Sequence, residues 1–156
     1  MLKKGIIGLL AFVLAFVFPV TSNSAKADSY VYSNWYSFPD FGPGCKVRLG
    51  VNKLYIYPSD NTIKTTGISN GSCSTMYYKL VLGFPDYDYK IYTGSFSNSV
   101  GRNFDITNLK QKNKINAKVF LFLYKSPYYS GYTLSGYIDI PITIYPRGGY
   151  TPGLEM

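Results

Sequence analysis

The chain has 156 residues, 46% of them hydrophobic and 18% aromatic, with a formal net charge of +8 and no histidine. The missing histidine excludes Ser-His-Asp and Cys-His catalysis, histidine-ligated metal centres and histidine pH switches together. The basic balance favours anionic partners, although solubility alone also explains it.

Residues 1–27 read as a secretory signal peptide. Lys3 and Lys4 form its positive start, an apolar run extends from Gly5 to Phe18, Pro19 breaks the run, and Ala25-Lys26-Ala27 places small residues at a cleavage point. The run is shorter than the roughly 20 residues of a bilayer-spanning helix, so no transmembrane segment is expected in the mature protein. Loss of Lys3, Lys4 and Lys26 lowers the net charge from +8 to +5. The expected product is secreted, with one domain over 28–146 and a flexible tail over 147–156. No cysteine stands at the cleavage point to take a lipid, and the tail YTPGLEM is neither apolar nor basic. Any attachment to the cell envelope is therefore expected to be noncovalent.

All 17 tyrosines fall after residue 27, and they alternate with polar residues at the period of a strand. Tyr30 to Tyr36 is the first predicted strand, ended by FPDFGPG. Cys45 to Val51 follows, with Val47, Leu49 and Val51 on one face and Lys46 and Arg48 on the other. LYIYP comes after a turn at Asn52-Lys53, and a short strand is expected around Ile63. Met76 to Gly83 and Tyr87 to Thr93 flank a turn at Pro85-Asp86. NFDITNL runs into a corner with Leu109 as its last inward residue. Asn116 to Tyr124 contains VFLFLY, apolar on both phases, which predicts a central strand covered on both faces. Tyr132 to Tyr145 is half-buried, with Leu134, Ile138, Ile140, Ile142 and Ile144 inward and Tyr137, Asp139, Thr143 and Tyr145 outward. Pro141, on its outward phase, cannot donate to a ladder and predicts an edge, a bulge or a split.

Seven or eight short strands without helical periodicity predict an all-β fold, an antiparallel β-sandwich of immunoglobulin-like or related type. NFDITNL and the strand after it resemble the strand, corner, strand passage of immunoglobulin-like sandwiches, without the tyrosine usual at that corner. The export signal, Tyr-rich basic domain and single cysteine pair together resemble small uncharacterised secreted proteins of Bacillus-type bacteria. Cys45 and Cys73 are the only cysteines, and in an oxidising compartment they are expected to form a disulfide.

Little catalytic chemistry is available. Asp86 and Asp88, two residues apart, would share a strand face with Cα atoms about 6.6 Å apart, a spacing compatible with glycoside hydrolysis. Exposed carboxylates opening an outer strand explain them better. The same pair, with Asp60 and Asn61, is a weak candidate for calcium, so no metal site, no cofactor and no enzymatic activity are expected. Tyr87, Tyr89, Tyr128, Tyr129, Tyr132, Tyr137 and Tyr145 form a candidate aromatic surface for sugar stacking or protein contact, against the alternative that tyrosine pairs simply stabilise sheets. In LKQKNKINAK, Lys110, Lys112 and Lys114 form a candidate anion-binding loop. Lys118 and Lys125 instead flank VFLFLY as guards against aggregation.

The expected function is a secreted binding or matrix-type protein that associates noncovalently with cell-wall polyanion, extracellular glycan or another extracellular protein. A secreted antibacterial or inhibitor protein is the alternative, and nucleic acid is not an expected partner.

Overall fold

A strand alternates its side chains between two faces, so each inward apolar residue fixes the phase of its neighbours. In the computed structural model, which describes residues 29–109 and 113–146, this alternation builds ten strands. They are β1 (Val31–Tyr32), β2 (Tyr36–Ser37), β3 (Lys46–Val51), β4 (Tyr55–Ile56), β5 (Thr62–Ser69), β6 (Met76–Gly83), β7 (Asp88–Phe96), β8 (Ser99–Asp105), β9 (Ile115–Tyr124) and β10 (Leu134–Ile144). One sheet has the order β1-β3-β5-β8, with β2 also on β3, and the other has β4-β10-β9-β6-β7. All pairs are antiparallel except β4 with β10. The chain is an all-β sandwich. Taken from β3 onward, its strand order is that of an immunoglobulin-like Greek key without strand D. The predicted signal peptide, Lys110, Lys112 and the tail lie outside the described residues.

The core lies between the sheets. Val47, Leu49 and Val51 of β3, Tyr78, Leu80 and Leu82 of β6, Val119, Leu121 and Leu123 of β9, and Ile138, Ile142 and Ile144 of β10 are almost wholly shielded from water. Each such side chain contributes about 1.5–3 kcal/mol relative to exposure. Lys46 and Arg48 face outward, as the alternation requires.

Several boundaries differ from the sequence expectation, each for a physical reason. The first strand is split into β1 and β2, because the Ser33 hydroxyl accepts the Leu49 N–H (3.1 Å) and Trp35 turns out over Arg48. The short strand at Ile63 is the eight-residue β5, paired on both sides. Its inward residues Thr65, Gly67 and Ser69 are small or polar, so they gave no apolar signal. A register shift between Leu134 and Gly136 leaves Leu134 exposed instead of inward.

Pro141 needs neither a bulge nor a split. Thr143 and Tyr145 donate their N–H groups to Leu54 and Ile56 of the β4 side (2.8 and 2.9 Å), so the nitrogen of Pro141 faces the same side, before β4 begins. At that point β10 is locally an edge, where proline is tolerated.

β9 is central, between β10 and β6, but only one face is covered by a second layer. Its outward phase, Phe120 and Phe122, is half-buried under neighbouring side chains, with Tyr137 5.5 Å from the Phe122 ring. NFDITN and β9 are not paired neighbours either. β8 and β9 belong to different sheets.

Cys45 and Cys73 are disulfide-bonded across a separation of 28 residues, tying the start of β3 to the β5–β6 connection. Closing that segment removes roughly 3.5 kcal/mol of unfolded-chain entropy. The Cys45→Ser, Cys73→Ser double variant should therefore lose about 3 kcal/mol of stability in urea unfolding, and an unchanged midpoint would contradict the role.

A second tie is ionic. The Asp40 carboxylate accepts the Ser135 hydroxyl (2.9 Å) and pairs with Lys125 (3.1 Å), joining the turn after β2 to both β9 and β10. The Ser135 hydrogen bond first, and Lys125 next, hold its pKa below the ordinary 3.8. A depressed carboxylate stabilises the fold above its unfolded value and loses that contribution as pH falls through its folded one. The melting-temperature gap between the native chain and Asp40→Asn should accordingly be full above pH 3.8 and close below it. A gap independent of pH would contradict the linkage.

Candidate functional site

The seven tyrosines of the candidate aromatic surface fall in four places. Tyr87 and Tyr89 both pack on Phe84 (5.1 and 5.5 Å between ring centroids), and Tyr89 also leans on the core, so these rings build the β6–β7 hairpin. Tyr129 is held edge-on to Tyr124 and donates its hydroxyl to the Gly94 carbonyl (3.2 Å), folding its loop back on β7. Tyr128 and Tyr132 stand 84% and 101% exposed in that loop. Tyr137 joins Phe120 and Phe122 on the outer face of β9 and β10. Tyr145 lies apart, at the end of β10.

Tyr145 meets a lysine of the predicted anion-binding loop there. Ile144 of β10 pairs with Ile115 of β9 on one side and with Ile56 of β4 on the other. Ile56 and Ile144 are buried and Ile115 is packed against the core. One residue beyond this row the side chains turn to the opposite face, which brings Lys114, Tyr145 and Tyr57 side by side across three strands. The two tyrosine rings are stacked, 5.1 Å apart and 1° from parallel. The Lys114 ammonium lies 5.7 Å from the Tyr145 ring centroid, within reach of cation–π attraction. Pro58 and Pro146 follow the two tyrosines, and with the row they line an open cleft of about 440 Å³.

The supports of the row are in the backbone. Tyr145 donates its N–H to Ile56 (2.9 Å), and Tyr57 donates its own to the Asp60 carboxylate (2.8 Å), which is also paired with Lys53. Each ring is thus fixed at its root; Tyr57 is 52% exposed and Tyr145 is half-buried.

The lysines divide by their partners. Lys118 pairs with Asp139 (2.8 Å) and Lys125 with Asp40, so both expected guards of VFLFLY are also tied down in the folded state. The hydrogen bond from Lys118 to Asp139, and then the charge of that carboxylate, raise the Lys118 pKa. Lys114 has no carboxylate partner among the described residues. Lys110 and Lys112, which precede it in sequence, lie outside them.

The carboxylates are not brought together. Asp86 sits in the bend before β7 and Asp88 opens that strand, so the two do not share a strand face, and Asp60 is engaged with Lys53. Among the described residues no three acidic, cysteine or histidine side chains cluster as metal ligands.

Sequence reasoning missed Tyr57, although a signal was present. Residues 55–58 read YIYP and residues 143–146 read TIYP, the same Ile-Tyr-Pro ending on two strands that prove to be parallel neighbours. Compared with known proteins, the chain matches no family model, no curated protein and no solved structure, so the chemistry of the cleft rests on its own residues.

Proposed function

We propose that the protein is a secreted, non-enzymatic binding or matrix-type module that holds anionic glycan of the cell envelope noncovalently through the Lys114–Tyr145–Tyr57 row. The observation that carries this reading is the convergence in one cleft of two stacked tyrosine rings with an ammonium that has no carboxylate partner among the described residues. Tyrosine rings stack on the apolar faces of sugars at low conformational cost. Lys114 supplies the charge that an anionic substituent answers. Lys110 and Lys112 precede it closely in sequence, and Arg147 follows Tyr145 by two residues.

The described lining of the cleft is two tyrosines, two prolines and a lysine, a set suited to holding a ligand by stacking and charge. A disulfide suits an oxidising compartment, and no described helix is long and apolar enough to cross a membrane.

Purified mature protein should pellet with cell walls at low salt and release as salt screens the charge. Tyr145→Ala should weaken adsorption about two- to tenfold, equivalent to about 0.5–1.5 kcal/mol for one lost ring contact. Lys114→Gln should weaken it and flatten its salt dependence, while Tyr132→Ala, outside the row, should bind like the native chain. Failure to pellet at any salt, or full adsorption by both row variants, would overturn the proposal.

A further inference from the structure

The outer face of the other sheet holds a guanidinium close to two aromatic rings. Arg48 projects outward from β3, with its guanidinium carbon 4.0 Å from the Tyr32 ring centroid and 4.7 Å from that of Trp35. The clamp is built into the backbone. The Tyr32 ring lies flat across Gly50, where an added Cβ would come within 2.7 Å of it, and the β1–β2 interruption turns Trp35 over the guanidinium.

The guanidinium is poorly compensated. The Arg48 Nε is buried without a hydrogen-bond partner, and Arg48 has no ion pair among the described residues. Its cross-strand partner is Ile68. The other positions around it on that face, Lys46, Gly50 and Thr66, carry no carboxylate. The rings beside the guanidinium accept no in-plane hydrogen bond, and the Nη donors, which no carboxylate answers among the described residues, match an oxyanion in a bidentate fork. A cation that is half-buried, immobilised and without an acceptor is preorganised for an anion from outside the chain.

We propose that Arg48, held beside Tyr32 and Trp35, is an oxyanion-binding site that takes a phosphate or carboxylate group displayed on an extracellular polymer. The site stands apart from the Lys114 row, on the opposite outer face of the sandwich, and does not depend on it. If both sites act, one molecule grips two polymer strands, and only that bridging consequence rests on the function proposed for the row.

The side-chain Nε–H of Arg48 is shielded from water and reports the site directly in ¹H–¹⁵N spectra. Titration of the mature protein with inorganic phosphate and, separately, with acetate should shift this signal along a saturable curve. A response to phosphate alone identifies a phosphorylated polymer, and a response to both admits carboxylated ones. Arg48→Lys, which keeps the charge and loses the planar fork, should abolish saturation in the amides of β1 to β3. An Arg48 signal unmoved by either anion, or an Arg48→Lys variant with undiminished affinity, would overturn the proposal and leave the clamp as a fastening of the N-terminal segment. Wall adsorption that fails while the Arg48 titration succeeds removes the row and leaves this site standing.

Discussion

The register of β10 between β9 and β4 is the constraint on which the rest of the structure depends. Ile138, Ile140, Ile142 and Ile144 point into the core on every second residue, and a slip of one position would expose all four. The same register seats Ile144 between Ile115 and Ile56. Because side chains alternate strictly, the next position on each strand turns outward, and burial of the isoleucines is what sets Lys114, Tyr145 and Tyr57 in line. A surface row is thus held by core packing, without a hydrogen bond between its own side chains. The prolines after both tyrosines end the strands there and complete the walls of the cleft.

β9 shows how the fold manages an apolar strand covered by a second layer on one face only. Its inward phase is sealed, while Phe120 and Phe122 are sheltered by Tyr137 and bordered by the Lys118–Asp139 pair. Lys118, expected from the sequence to guard the segment, has a carboxylate partner in the folded state. The Lys125–Asp40–Ser135 contact does the same at the other end of β9, joining it to the turn that precedes the disulfide. Other cations depart from this pattern: Lys79, Lys90, Arg102, Lys114 and Arg48 each lie beside aromatic rings without a carboxylate partner among the described residues. Lys114 and Arg48 stand on opposite outer faces of the sandwich.

Much of the fold was legible in local pattern. The strand over Met76 to Gly83, the inward and outward sets of β3, the central place of β9 and the isoleucine phase of β10 all follow from alternation and from apolar residues on both phases. β5 was underestimated because Thr65, Gly67 and Ser69 face inward while carrying little apolar surface. The break at Ser33 was hidden because a side-chain hydroxyl there replaces a backbone ladder group. The site was less legible. Tyr145 and Lys114 were each recognisable as residues able to bind, but their meeting is a property of strand pairing between segments some 30 residues apart, which composition and periodicity do not report. The tyrosines read as one surface were scattered for the same reason, since a shared phase within a strand says nothing of which strands lie together. Only the repeated Ile-Tyr-Pro ending of β4 and β10 carried a trace of the pairing.

The central claim is that one row of side chains, not general basicity or general exposure of tyrosine, forms the ligand surface. It is tested most directly by labelling the tyrosine rings and following their NMR signals during titration with a soluble anionic wall glycan. The account predicts saturable shifts at Tyr57 and Tyr145, with Tyr128, Tyr132 and Tyr137 unmoved although they are at least as exposed. Shifts spread over all exposed rings, or none at the row, would contradict it.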